Sequence, residues 1–231
     1  MNTIQKQQLL LQSLGIPGPG AMRMKQLIDN LCSFNSKERF FLIGHALGNK
    51  DFTLSHVFKK EIANALRLDM PDSLFAAMDY HLDWLYASLH LTFNGGECQI
   101  FPNSDRLVKA QQEDIDLIIA FAEDTTCHII LVEAKGVTGW TNKQMNSKAT
   151  RFAEIFGSDG KRWPSVNPHF LLLSPRRSKH LDMSKWPSWM TPNGKVPWIE
   201  LPVPPKLRKV ARCGPNAVPD RNGLFWTTSW R

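Results

Sequence analysis

The chain has 231 residues, of which 42% are hydrophobic and 21% charged. That composition is ordinary for a globular protein and supplies enough material for one sizeable core. No apolar run approaches the roughly 20 residues of a membrane helix. The first twelve residues lack the basic, apolar and small-residue succession of a secretory leader. The expectation is therefore a cytoplasmic protein with no membrane partner, and its formal charge of +7 admits a polyanionic one. From Lys161 to Arg231 there are 13 cations against 3 acids, which leaves 15 against 18 for residues 1–160. The basic excess lies wholly in the last third. Cys32, Cys98, Cys127 and Cys213 are scattered and form no CxxC pair, which argues against a zinc site and against a disulfide framework.

Residues 4–14 read as a short amphipathic helix, broken by Pro17-Gly18-Pro19-Gly20 before a second helix over about 21–31. Further helices are predicted at 37–47 and at 54–67, the latter capped by Thr53 or Ser55. A strongly apolar helix is predicted over 73–91. Past Asn94-Gly95-Gly96 the period changes, with a short strand near Cys98–Phe101 and near-continuous apolar runs at Asp116–Ala122 and His128–Ala134. Runs that are apolar on both faces belong in the middle of a sheet covered by helices on each side. A helix opens at Thr141, carries Met145, Ala149, Phe152 and Phe156 on one face, and closes at Gly157. His169–Ser174 reads as one more strand. The remainder is rich in proline and tryptophan and reads as an irregular extension, with short strands near 196–201 and 223–229 joined by basic loops. Three regions follow: N-terminal helices (1–70), an α/β core (71–175) and a basic extension packed on it (176–231).

The informative stretch is Glu113-Asp114-Ile115-Asp116-Leu117-Ile118-Ile119-Ala120-Phe121, a turn, and His128-Ile129-Ile130-Leu131-Val132-Glu133-Ala134-Lys135. Folded as a hairpin about Asp124–Thr125, it brings Asp116 level with residues 133–135, and Glu133 and Lys135 share a face. Two desolvated carboxylates beside one ammonium are costly without further positive charge. A magnesium ion would supply it, with manganese as a substitute. Asp114 competes with Asp116 should the turn slip by one residue.

Asp116 followed after a 16-residue gap by Glu133-Ala134-Lys135 resembles the PD-(D/E)xK motif of restriction-endonuclease-like nucleases, although Ile115 stands where the motif has proline. The resemblance covers about residues 73–175. It implies an αβββαβ core with a mixed sheet, metal binding by Asp116 and Glu133, a catalytic lysine at Lys135, and hydrolysis of nucleic-acid phosphodiesters, DNA before RNA. Members of the family often add an acid from the first core helix, for which Asp79 is the leading choice, with Asp83 and Glu61 as rivals. Lys143 and Gln144 stand where related nucleases place polar contacts to the site, and Thr141-Asn142-Lys143-Gln144 also reads as a capping box. Leu14–Ile28 resembles a helix-hairpin-helix, with Pro19 in place of the expected aliphatic residue, and a plain interhelical turn is the preferred reading. In the basic segment Arg162, Arg176 and Arg177 are candidate nucleic-acid contacts, whereas the tryptophans are expected to build the extension's own small core. A binding protein that keeps the fold without cleavage is the alternative, and the oligomeric state is open, a homodimer included. No HExxH spacing, glycine-rich phosphate loop or nucleophile elbow supports another enzyme class.

Overall fold

A computed structural model describes residues 18–95, 100–110 and 113–230. The helix predicted over 4–14, residues 14–17 of the helix-hairpin-helix segment and the start of the strand near Cys98–Phe101 lie outside these residues. Ile100 and Phe101 are described and belong to no strand.

The chain enters through α1 (Pro19–Phe34), α2 (Glu38–Ala46) and α3 (His56–Leu66). Pro19 starts α1 at a position where a backbone N–H has no helical acceptor to lose. The Ser55 side chain accepts from Phe58 N and caps α3. The single helix predicted over 73–91 is instead a strand followed by a helix, β1 (Phe75–His81) and α4 (Leu82–Asn94). Phe75-Ala76-Ala77-Met78 is apolar on both faces, a pattern that periodicity cannot assign. Pairing with an available sheet edge decides it: β1 runs antiparallel to β2 (Asp114–Glu123), from Phe75↔Ala120 to His81↔Asp114. The helix begins where the His81 ring accepts the amide proton of Asp83.

From β2 the chain turns into β3 (Thr126–Ala134), antiparallel with Leu117 opposite Val132. It crosses over through α5 (Asn142–Phe156), which ends at Gly157 with φ of 84°, a conformation that suits glycine, and enters β4 (Val166–Ser174), parallel to β3. The short β5 (Trp198–Glu200) extends the sheet beside β4, giving the order β1-β2-β3-β4-β5.

Both faces of the sheet are covered. On one face Met24, Leu27 and Leu31 of α1, Leu85 and Leu89 of α4, and Met145, Phe152 and Phe156 of α5 pack on Ile118, Ala120, Ile129 and Leu131. On the other, Ile62 of α3 lies with Ile119, Ile130, Val132 and Leu171. Trp163 and Trp186 are buried in the first of these cores and Trp189 and Trp198 pack against it, so these tryptophans join the main core rather than forming a separate one. A second, two-stranded sheet stands apart from the first: β6 (Arg208–Cys213), predicted as loop, pairs with β7 (Phe225–Trp230). No helix among the described residues is long and apolar enough to cross a membrane.

Candidate active site

The hairpin that positions the acids follows from its register. Continuing the pairing one step past Leu117↔Val132 sets Asp116 level with Glu133. Each lies two residues from a side chain packed toward α5, Ile118 and Leu131 respectively, so alternation along the strand turns both carboxylates toward that helix. Asp116 Oδ2 accepts the Ala134 amide proton at 2.7 Å, which holds its carboxylate against the end of β3. Lys135 N donates to Leu173 O at 2.9 Å, so the extended backbone continues and carries Lys135 to the Glu133 side.

The N-terminal turns of α5 close the site. Thr141 Oγ1 accepts from Gln144 N at 3.2 Å, the capping bond expected from the sequence. Asp116, Glu133, Lys135, Lys143 and Gln144 then line one cavity of about 570 Å³, together with Glu113, Asp114, Thr141, Ser147 and Lys148. Every residue predicted from the strand-turn-strand motif and the following cap reaches this space.

Lys148 is the member that sequence reasoning missed. Its ammonium donates to Glu133 Oε1 and, at 2.7 Å, to Asp114 O, and both ends of the Glu133–Lys148 pair are buried. A lysine interrupting the apolar stripe of α5 between Met145 and Phe152 was the available signal. Burial raises the Glu133 carboxyl to about 7; Lys148 opposes that rise, Asp116 adds to it, and Lys135 acts downward more weakly. The four charged groups are thus electrostatically one cluster. Asp114, the rival to Asp116, is engaged differently: its Oδ2 pairs with Lys37 of the α1–α2 connection at 2.8 Å, while its Oδ1 is buried without a partner.

The additional acids proposed from the helix preceding the motif do not reach the cavity. Asp79 lies on β1, not on a helix, with φ of 50° and an ion pair to Arg39. Asp83 is buried on α4, where it pairs with Arg151 at 2.7 Å and accepts the amides of Lys109 and Ala110. Glu61 is exposed on α3, on the opposite side of the sheet. The candidate contact residues also part company. Arg162 is held over Tyr86 and Trp163 and donates to Glu154 O, away from the cavity. Arg177 lines a different cavity and donates to Val196 O, and Arg176, exposed just past the end of β4, does not line the cavity either.

No family model, curated protein or solved structure matches this chain.

The donor set decides what the cavity suits. Among the described residues no three His, Cys, Asp or Glu side chains gather as a metal-binding group. Two carboxylates with water are nevertheless the usual protein share of a magnesium site, and oxygen-only donors favour magnesium or manganese over zinc. Asp114 Oδ1 is buried without a partner, and burial, with a smaller contribution from Asp116, keeps the Glu133 carboxyl raised even with Lys148 in place. The residues present fit a hard divalent cation held by Asp116 and Glu133.

Proposed function

We propose that the chain is a magnesium-dependent nuclease that hydrolyses phosphodiester bonds in nucleic acid, DNA rather than RNA. One observation carries the reading: Asp116, Glu133 and Lys135 line a single open cavity at the ends of two paired central strands. The topology supports it. Taken as an αβββαβ core, the elements are α3, β1, β2, β3, α5 and β4, with α4 interposed between β1 and β2.

A cation bound by Asp116 and Glu133 would polarise a phosphoryl oxygen and acidify a water. The chain's own groups do the rest. Lys135 reaches the cavity from the same strand as Glu133 and offers an ammonium that orients an attacking water and offsets charge growing on the phosphoryl oxygens. Lys148 holds the Glu133 carboxylate toward α5 and shares its charge. Lys143 and Gln144, exposed on the first turn of α5, are placed to meet the nucleic-acid backbone.

The test is incubation of plasmid and single-stranded DNA with magnesium or manganese, wild type beside Lys135→Ala. Metal-dependent product that the variant lacks is the expected result; wild-type protein that yields none under any of these conditions refutes the activity. A second reading has its own observation. The Lys148 ammonium already occupies the Glu133 carboxylate, so a protein that binds nucleic acid without cutting it would need no metal. It predicts salt-sensitive binding that is unchanged by chelator and by Lys135→Ala.

A further inference from the structure

The β6–β7 hairpin presents a surface that none of the core chemistry uses. Its register pairs Arg208 with Trp230, Val210 with Thr228 and Arg212 with Trp226. Directly opposed residues of an antiparallel pair point to the same side, so two arginines and two tryptophans share one face as two cross-strand Arg–Trp pairs. All six residues on that face are exposed, with Trp226 at 70% and Trp230 at 60%. The opposite face carries Ala211, Cys213 and Thr227, which are buried or half-buried, and Lys209, Phe225 and Ser229, which are exposed.

Indole faces left in water forgo their burial, and a two-stranded hairpin has little other stability to draw on. The Arg208 guanidinium lies 4.2 Å from the Trp230 ring centroid, which orders the indole without covering its outer side. Charge selects the occupant. Between Lys206 and Trp230 there are five cations and one acid, and none of the five makes an ion pair among the described residues.

We infer that this face of the β6–β7 hairpin binds single-stranded nucleic acid, with bases stacked on Trp226 and Trp230 and the phosphates met by Arg208 and Arg212. Flat aromatic platforms alternating with guanidinium groups suit unpaired bases, whose faces are accessible, whereas a duplex hides them. The inference rests on the reading of nucleic acid as substrate and deepens it: the arm would hold a single strand, or a single-stranded region of a larger substrate, for the cavity at Asp116 and Glu133.

The experiment measures binding without cleavage, by anisotropy of a fluorescein-labelled oligothymidine of about 15 nucleotides in chelator, with a duplex of equal length as comparison. Wild type should bind the single strand more tightly than the duplex. Trp226→Ala and Trp230→Ala should each weaken single-strand binding by about tenfold or more, and Trp226→Phe and Trp230→Phe should retain most of it, since a phenyl ring also stacks. Arg208→Ala with Arg212→Ala should flatten the salt dependence by about 0.7 in log–log slope for each phosphate left without its guanidinium.

Unchanged binding by the double tryptophan-to-alanine variant, with circular dichroism showing an intact fold, overturns the inference while leaving the nuclease reading standing. So does equal loss in the phenylalanine variants, or a concentration-dependent oligomer that only the alanine variants dissolve, because the face would then serve a second copy of the chain. A wild type that binds no nucleic acid overturns both. Cleavage retained by a tryptophan variant that no longer binds the oligomer tightly separates the arm from the catalytic cavity.

Discussion

Lys148→Ala isolates the charge balance on which the site depends. The substitution removes the ammonium from a Glu133 carboxylate that is 1% exposed, so no solvent replaces it. Removing one partner of a buried pair typically costs about 3–5 kcal/mol when the other stays ionised. Glu133 has a second option, protonation, and that makes the cost depend on pH. In the wild type its folded value lies near 7, above the ordinary 4.5, so between those values the folded state holds the extra proton and stability falls as pH rises. Without Lys148 the folded value climbs further, and the decline continues above 7. The variant should therefore lie close to wild type at about pH 5.5 and fall behind it by up to about 2 kcal/mol near pH 8.5, about 1.4 kcal/mol for each pH unit above 7 over which its Glu133 stays protonated. For a chain of 231 residues that is a drop of about 4–8 °C in Tm. A divalent cation should then substitute for the ammonium. Magnesium at tenfold its Kd restores about 1.4 kcal/mol, and the rescue should be larger in Lys148→Ala than in wild type, where ammonium and metal compete for Glu133. Thermal unfolding across pH, with and without magnesium, reads all of this. A loss that is the same at both ends of the pH range would refute the electrostatic account, since mere loss of packing does not titrate. Absence of any magnesium rescue would remove the argument for a cation at Glu133.

Two further outcomes are expected away from the cavity. Arg151 is 2% exposed and joins α5 to α4 through Asp83, so Arg151→Met should destabilise the protein by about 3–5 kcal/mol in denaturant titration, and a change below about 1 kcal/mol would mean that the pair contributes little. The His128 and His169 rings stack, with Nδ1 and Nε2 at 3.0 Å; burial, with a smaller contribution from His128, pushes His169 down from 6.5 to about 4. The unfolded chain takes up the proton first, so stability is present above 6.5 and is lost as pH falls toward 4, by up to about 3 kcal/mol. His169→Phe should flatten that limb of the pH–stability curve, and an unaltered limb would show that other groups produce it.

Much of this molecule is legible from local pattern. The two apolar runs ending in acids are recognisable as central strands because both their faces have to be buried, and hairpin parity alone sets Asp116 level with Glu133. Thr141 as a cap and Gly157 as a stop bound α5 closely, because both act within one turn of the chain. Local pattern fails where the deciding partner is remote in sequence. Phe75–Met78 is a strand because β2, some 40 residues later, offers an edge, and this takes Asp79 off the helix that the apolar run suggests. Lys148 resembles any helix lysine until the crossover lays α5 over the hairpin and sets its ammonium on Glu133. The tryptophans after residue 160 are alike in composition, yet Trp163 and Trp186 are core while Trp226 and Trp230 face water. Local propensity, alternation and capping depend on neighbours along the chain, and the sequence by itself therefore determined which segments carry the candidate acids and that they pair. Burial, charge pairing and exposure depend on neighbours in space, and only the tertiary structure decided which lysine answers Glu133 and which aromatics remain open to a partner.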